Sequence, residues 1–328
     1  MERARGRFGF MLWCVLSGAT GMPSFAGAQA WPTKPVRVIV PITAGSATDI
    51  IARIVTERVA AQLGQNFVID NRPGGTGTIG ISAAAKAEAD GYTALVQSSS
   101  YTVVPITYSR LDYDTVRDFV GITPLGNVPN VLVISPSKGM RSVKELIAAA
   151  RAKPGSITYA SIGTGSATQL SAERFRLGAG FDGVHVPFKG TPEALNDVIT
   201  GRVDFYFCPV ISVVQFIKEG KLVALATGST KRSSALPDVP TTLEAGIPNS
   251  DYNFWIGMWL PIKTPRDVVD RLYAETRRAL TLKSVQDKLI ALGSEPAAMT
   301  PAQFDKFFQN EIALNAELVK AAGIKPNP

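Results

Sequence analysis

The sequence predicts an α/β protein built as two lobes, each a mainly parallel sheet flanked by helices. Short apolar runs alternate with helix-like segments, and strands in such an alternation pair in parallel beneath helices on both faces. The alternation begins at "VRVIVP" (36–41) and restarts at "VLVIS" (131–135). The chain has 328 residues, 45% of them hydrophobic, which is enough for two cores. Both runs carry the tetrapeptide "GSAT", at Gly45–Thr48 and Gly165–Thr168.

The first run predicts three strands and two helices. The apolar positions of the first helix fall at helical spacing, which predicts a helix that ends at Gly64; they are Ile50, Ile51, Ile54, Val55, Val59 and Leu63. In chain order the segments are the strand "VRVIVP", the helix "ATDIIARIVTERVAAQLG", the strand "NFVIDN", the helix "IGISAAAKAEAD" and the strand "GYTALVQSSS".

The second run repeats this pattern and extends it. After "VLVIS" comes the helix "SVKELIAAARAKPG", which Pro154-Gly155 ends, and then the strand "SITYAS". The segments "ATQLSAERFRLGAG", "GVHVPF", "TPEALNDVITG", "VDFYFC", "SVVQFIKEG" and "KLVALAT" continue the alternation. A proline-rich loop then leads to the strand-like "NFWIGMWLP" and to two closing helices.

These segments predict where the chain divides. Lobe 1 comprises residues 31–129 plus 253–328, and lobe 2 is an insertion of residues 130–252. The chain would cross between the lobes twice, near "GNVPNV" and near "DYNFW". Two crossing strands permit a hinge to close the lobes about a cleft.

Residues 1–30 are typical of an export signal. The basic segment "MERARGR" leads into the apolar "FGFMLWCVLSG", and small residues offer cleavage near Ala28 or Ala30. The apolar stretch is too short for a spanning helix. We therefore expect a mature protein in the periplasm. An uncleaved N-terminal anchor is the alternative.

Composition argues against several classes of function. The net charge is +7, but there is no basic block interleaved with aromatic residues, so we expect no nucleic acid partner. His185 is the only histidine and no Cys/His cluster exists, so we expect no metal and no cofactor. A single cysteine, Cys208, would remain after cleavage, which excludes an internal disulfide.

The segment "GGTGTIG" matches G-x-G-x-x-G at Gly75, Gly77 and Gly80. The dinucleotide fingerprint belongs on the first strand–helix turn, whereas this segment follows the second strand. The acidic residue expected about 20 positions later is also missing, because "QSSS" (97–100) occupies that region. We interpret the glycines as a tight turn packed closely on the sheet.

The two GSAT junctions are the best candidates for a binding site. Ser46-x-x-Asp49 and Ser166-x-x-Gln169 resemble capping boxes, so ordinary helix capping is one interpretation. The absence of bulk in both loops favours another, because small residues let an anion approach the unpaired N–H groups of each first turn. The candidate ligand-binding residues are Thr43, Ala44, Gly45, Ser46, Thr48 and Asp49 in lobe 1, Gly163, Thr164, Gly165, Ser166 and Thr168 in lobe 2, and Ser98 and Ser99 at the end of the third strand.

Longer stretches resemble the periplasmic solute receptors of the tripartite tricarboxylate transporter family, the Bug receptors. The resemblance runs from about Trp31 to Ile324 and includes "GQNFVIDNRPGGTGTIG", "LDYDTVRDFVGITPLG", "VHVPFKGTPEALNDVITGRVDF" and "WIGMWLPIKTP". It implies a two-lobed Venus-flytrap fold (periplasmic-binding-protein type II-like) that closes on a carboxylate. The loops at Ile42–Asp49 and Ser161–Thr168 would hold that carboxylate, partly through ordered waters. The resemblance also implies delivery of the ligand to a membrane permease and no catalysis.

The sequence departs from the family pattern at positions that bear on ligand choice. The first loop reads Pro41-Ile42-Thr43-Ala44-Gly45-Ser46 where the family commonly has Pro-Phe-x-Pro-Gly-Gly. Phe188 replaces a common tyrosine, and Cys208 stands where aspartate is frequent. Without that acid we expect no preference for a zwitterionic amino acid. The ligand class stays open among mono-, di- and tricarboxylates, including aromatic acids.

Two other functions remain open on the sequence. A secreted α/β hydrolase would use a serine of these loops with His185 as its base, although no G-x-S-x-G motif is present. A sensor that passes the state of its ligand to a signalling partner would use the same cleft.

Overall fold

Two five-stranded sheets organise the protein in a computed structural model that describes Glu2 and residues 31–327. Apart from Glu2, the predicted signal peptide with its cleavage sites lies outside the described residues. The strands are β1 (Val36–Val40), β2 (Phe67–Asn71), β3 (Thr93–Ser98), β4 (Phe119–Asn127), β5 (Asn130–Ile134), β6 (Ile157–Ser161), β7 (Gly183–Pro187), β8 (Phe205–Pro209), β9 (Val223–Thr227) and β10 (Trp255–Pro261).

Helices cover the sheets, as the alternation predicts. They are α1 (Ala47–Leu63), α2 (Thr78–Ala85), α3 (Val104–Thr107), α4 (Val143–Ala152), α5 (Ala167–Ala179), α6 (Thr191–Ile199), α7 (Val210–Lys218), α8 (Arg266–Thr281), α9 (Lys283–Ala291) and α10 (Pro301–Ala321). Among residues 31–327, no helix has both the length and the hydrophobicity that crossing a membrane requires.

The sheets have the strand orders β2-β1-β3-β10-β4 and β7-β6-β8-β5-β9. Each contains two parallel pairings and two antiparallel ones, so the sheets are more mixed than the alternation alone suggests. The antiparallel pairings have a simple cause. The chain leaves the first sheet along β4 and returns to it along β10. It enters the second sheet along β5 and leaves it along β9. In each sheet the departing strand therefore runs antiparallel to the arriving strand beside it.

The two GSAT junctions follow strands in equivalent positions. Strand β1 lies between β2 and β3, and β6 lies between β7 and β8, each with parallel neighbours on both sides. Consecutive strands diverge to opposite sides there, which is where open α/β sheets bind ligands beyond their carboxyl ends. The division at residues 129/130 and 252/253 stays a prediction.

An aromatic cluster anchors the closing helix α10 to the first sheet. Trp255 and Trp259 of β10 pack against Phe304 and Phe308 with ring centroids 5.1–6.3 Å apart. A Cβ at Gly257 would lie 2.3 Å from Phe304, so the glycine makes room for that ring. The C-terminal helices therefore belong to the core of the first sheet.

The glycine-rich segment packs as predicted at one of its glycines. A Cβ at Gly80 would lie 2.5 Å from the Cβ of Pro41 and 2.9 Å from the carbonyl oxygen of Arg72. Only a glycine allows α2 to lie this close to the loop after β1.

We predict that Gly257→Ala destabilises the protein by about 1–3 kcal/mol, because the added methyl group overpacks the core against Phe304. Urea unfolding followed by circular dichroism measures the change. Adding Phe304→Leu should recover part of the loss, and an unchanged unfolding midpoint for the single variant would contradict the packing.

Candidate functional site

The two junctions have the same local geometry. Ser46 and Ser166 are the N-caps of α1 and α5, with φ/ψ of −74°/159° and −84°/155°. The preceding Gly45 and Gly165 have φ of +80° and +77°, a region that favours glycine. The repeated tetrapeptide therefore builds the same strand–loop–helix turn in both lobes.

In each junction a side chain of the first helical turn reaches back to the glycine. The Gly45 N–H donates to Asp49 Oδ2 at 3.0 Å, and the Gly165 N–H donates to Gln169 Oε1 at 2.7 Å. Only Ser166 also accepts a capping bond, from the Gln169 N–H at 3.3 Å, whereas the Ser46 side chain makes no capping bond. Both loops are held in place by the residue four positions after the glycine.

Asp49 is a positioning residue for the first loop. Its carboxylate accepts from Arg53 at 2.9 and 3.0 Å and from Asn71 at 3.0 Å, in addition to Gly45. Burial alone would raise the pKa of Asp49, but the hydrogen bonds from Arg53, Gly45 and Asn71 hold it below its usual value. The group of Asp49 that remains available to a ligand is its main-chain N–H.

The start of α1 keeps several donors unused. Within residues 31–327, the N–H groups of Ala47, Thr48 and Asp49 have no hydrogen-bond acceptor. At the start of α5 the Thr168 N–H likewise has no acceptor in this part of the chain. The Ala167 N–H donates across the cleft to Ser100 Oγ of lobe 1 at 3.0 Å. These N–H groups carry the positive ends of the helix dipoles.

Both junctions lie at the surface where the lobes meet. A Cβ at Gly190 would lie 1.8 Å from Thr43 Oγ1, and a Cβ at Gly165 would lie 2.3 Å from Thr107 Oγ1. Thr43 Oγ1 is in turn 3.3 Å from Ser46 Oγ. The first junction thus faces the start of α6, and the second faces the end of α3.

A buried hydroxyl lies close to the second junction. The Tyr206 side chain is fully buried, and its hydroxyl interacts with the side chains of Thr168, Thr191 and Cys208. Burial raises the pKa of Tyr206 and of Cys208, so both are neutral.

The remaining predicted residues fall into two groups. Ser98 and Ser99 are fully buried at the end of β3. Ser98 accepts from the Ser100 N–H, whereas Ser99 Oγ has no partner in the described part of the chain. A cavity of about 290 Å³ between the lobes is lined by Ile42, Gly163, Thr164 and Phe188, among others. Ala44, two positions after Ile42, is exposed.

His185 contacts the second junction from β7. Its Nε2 is 2.6 Å from Ser161 Oγ, and its Nδ1 is 3.3 Å from Gln169 Nε2. Because Gln169 Oε1 accepts from Gly165, its nitrogen must face the histidine, which makes Nδ1 the acceptor. Nε2 then carries the proton and donates to Ser161, so this imidazole cannot take a proton from that serine.

Contacts across the cleft involve residues that the sequence did not single out. Thr76 of the glycine-rich segment donates to the Thr164 carbonyl at 2.9 Å, and Ser100 accepts from Ala167. Gly190 leaves the space that Thr43 fills. The only features of the sequence that could have indicated these contacts are the serine run after β3 and a threonine between two glycines.

Within residues 31–327, no group of three His, Cys, Asp or Glu side chains is placed to hold a metal ion.

Residues 51–324 match the family model described as a tripartite tricarboxylate transporter family receptor. The chain belongs to that family. BugT of Bordetella pertussis is 34% identical to this receptor over 313 residues, which are 95% of this chain and 96% of BugT. The resemblance found in the sequence is therefore confirmed.

Solved structures confirm the two-lobed fold of this family member. The periplasmic binding protein BugD has a TM-score of 0.86 at 30% identity and covers 90% of this chain and 100% of its own. An R. palustris protein solved with adipate has a TM-score of 0.88 at 34% identity, with 90% and 100% covered. MatC of Rhodopseudomonas palustris, with bound malate, has a TM-score of 0.82 at 29% identity, with 88% and 100% covered.

We predict that Gly190→Ala lowers ligand affinity at least about tenfold without lowering the stability of the ligand-free protein. Gly190 is extended, at φ −173°, so alanine is not strained there. Its Cβ would nevertheless meet Thr43 Oγ1, Cβ and Cγ2 within 2.9 Å and hold the lobes apart, at a cost typical of overpacking. Calorimetry measures the affinity. Adding Thr43→Gly removes all three atoms and should restore it, whereas equal affinities of wild type and Gly190→Ala would contradict the contact.

A second prediction concerns His185, whose pKa burial lowers to about 4. Between about pH 6.5 and pH 4 the unfolded chain binds a proton that the native state excludes, so stability falls as the pH falls through this window. His185→Gln, which removes the titration, should lose about 1–2 kcal/mol less than wild type between pH 8 and pH 5. Denaturant unfolding at both pH values gives the difference. Equal losses for the two proteins would contradict a histidine buried in its neutral form.

Proposed function

We propose that this protein is an extracytoplasmic receptor that captures a small carboxylate between its lobes and delivers it to a membrane permease. One observation carries the proposal. The two lobes present the same glycine–serine turn at equivalent strand ends, and the first helical turns behind them keep N–H groups that have no acceptor among residues 31–327. An anion satisfies such donors and is stabilised by both helix dipoles.

The surroundings of the two turns support an anionic ligand. The one carboxylate of the first loop, Asp49, is neutralised by Arg53 at 2.9 Å. The second loop has the neutral Gln169 in the equivalent position. The buried Tyr206 hydroxyl, which burial keeps neutral, adds no negative charge beside Thr168 and Thr191.

The relatives support a carboxylate in particular. Two of the solved structures hold adipate and malate, and both ligands carry two carboxylates. In this chain the fully buried Cys208 thiol has its pKa raised by burial and is neutral. A ligand's ammonium group would find no counter-charge there, so a preference for amino acids is not expected.

The secreted hydrolase is the weaker alternative. Its only histidine base would be His185, whose protonated Nε2 already donates to Ser161. A serine nucleophile needs a base that accepts its proton. We therefore expect ligand binding without turnover. Membership in the family supports export through residues 1–30 and delivery to a permease partner.

The direct test uses the mature chain from Trp31 onwards. We expect adipate or malate to raise its melting temperature, because a ligand that binds only the folded state stabilises that state. His185→Gln should keep the shift, and no product should form on prolonged incubation. Turnover that His185→Gln abolishes would favour the hydrolase.

A proline tests the helix-start donors themselves. Ala47→Pro removes the Ala47 N–H at the first position of α1, where proline is compatible with a helix. Losing one hydrogen bond to a charged group should weaken carboxylate binding roughly tenfold or more. The control is Lys283→Pro at the first position of α9, which should change the affinity less than about twofold. Unchanged binding by Ala47→Pro would contradict the proposed clamp.

A further inference from the structure

The residues after α10 turn back towards the space between the lobes. The helix ends at Ala321, and the N–H of Gly323, which has φ of +64°, donates to the Lys320 carbonyl at 3.2 Å. The family model matches residues up to 324, so residues 325–327 follow the matched part of the chain. Asn327 nevertheless reaches the cavity of about 290 Å³ between the lobes and is one of its lining residues.

Asn327 makes three hydrogen bonds to the chain at the end of α3. Its N–H donates to the Thr107 carbonyl at 2.6 Å, and its carbonyl accepts from the Ser109 N–H and from Ser109 Oγ, each at 3.1 Å. The two segments run parallel here, and Tyr108 and Asn327 form an isolated β-bridge. Two of the three bonds join main-chain atoms, so the contact restrains the backbone of residues 107–109.

The backbone of this segment has few other restraints. Helix α3 has four residues, which is too short for a helix to be stable by itself. Residues 108–118 form no further helix or strand before β4 begins. Beyond α3, the bond from Ser109 to Asn327 is the first that joins the backbone of this segment to the backbone of another part of the chain. The order of residues 107–109 therefore depends on residues 325–327.

The same segment meets lobe 2 at the second junction. Thr107 is fully buried, and a Cβ at Gly165 would lie 2.3 Å from its Oγ1. The Tyr108 hydroxyl donates to Thr76 Oγ1 at 3.2 Å, and Thr76 Oγ1 in turn donates to the Thr164 carbonyl at 2.9 Å. The residues that the chain after α10 restrains are therefore the ones that contact the loop before α5.

We propose that residues 325–327 are a strap that orders the end of α3 for ligand capture, with Asn327 as its positioning residue. The inference rests on the proposed receptor function. When the lobes close on a ligand, Thr107 and Tyr108 must occupy the positions that meet lobe 2. Ordering a mobile backbone costs conformational entropy, and a segment that is ordered in advance avoids this cost at the moment of binding. The strap therefore raises affinity through its main-chain bonds.

Calorimetry with adipate on the mature chain tests the strap. A chain that stops after Ile324 should bind adipate about tenfold more weakly than the full mature chain, because residues 107–109 must then be ordered on binding. Asn327→Pro should bind about threefold more weakly than Asn327→Ala, since both lack the side-chain amide and only proline lacks the N–H that donates to Thr107. Lys325→Ala changes an exposed residue of the strap and should alter the affinity less than about twofold.

Two further measurements separate positioning from overall stability. Hydrogen exchange of the ligand-free protein should show a protected Ser109 amide in wild type and a rapidly exchanging one in the shortened chain. Thr107→Ala combined with Tyr108→Phe weakens both contacts with lobe 2. In that background, shortening the chain after Ile324 should change the adipate affinity less than about twofold.

The results that would overturn the strap differ from one another. Equal adipate affinities of the full and shortened chains would show that residues 325–327 do not assist capture. Equal weakening with and without Thr107→Ala and Tyr108→Phe would show that the strap acts by another route. Rapid exchange of the Ser109 amide in wild type would show that Asn327 does not hold this segment, whatever the protein binds. A protected Ser109 amide in a wild type that binds neither adipate nor malate would overturn the carboxylate receptor, and the role of the strap in capture with it.

Discussion

The hydrogen bond from a loop glycine to a side chain four residues later is the constraint on which the site depends. Gly45 and Gly165 have positive φ, a conformation that glycine adopts without strain. Asp49 and Gln169 close these turns at 3.0 and 2.7 Å. Once the glycine N–H is satisfied, the groups left over are the N–H donors of the first helical turn. The anion binding that we propose therefore depends on backbone atoms that these two hydrogen bonds hold in position.

The two turns hold their glycine with different side chains, a carboxylate in the first turn and an amide in the second. Each side chain is kept in place by further contacts. Asp49 brings a negative charge close to an anion site, and Arg53 and Asn71 neutralise and fix it. Gln169 brings no charge, but its amide must be oriented, and its contacts with Gly165 and His185 orient it. That orientation makes His185 Nε2 a donor. The same bond that shapes the binding loop therefore removes the base that a serine hydrolase would need.

Local signals predicted much of this architecture. The strand–helix alternation predicted the elements, and the repeated tetrapeptide predicted two equivalent helix starts, because capping and turn chemistry depend on neighbours in sequence. The contacts that join the lobes were not predictable in this way. Thr76 meets Thr164 across 88 residues and Ser100 meets Ala167 across 67. No local pattern encodes such pairs. The glycine-rich segment shows how far local patterns reach. Its close packing at Gly80 was predicted, whereas the contact of Thr76 with the other lobe was not.

The proposed clamp of backbone N–H groups also bears on where ligand specificity would lie. Substitutions other than proline leave such donors in place, so a chain could change its ligand and keep the clamp. We therefore expect the choice of ligand to depend on the side chains that line the cavity between the lobes, which include Phe188, Lys189 and Asn327.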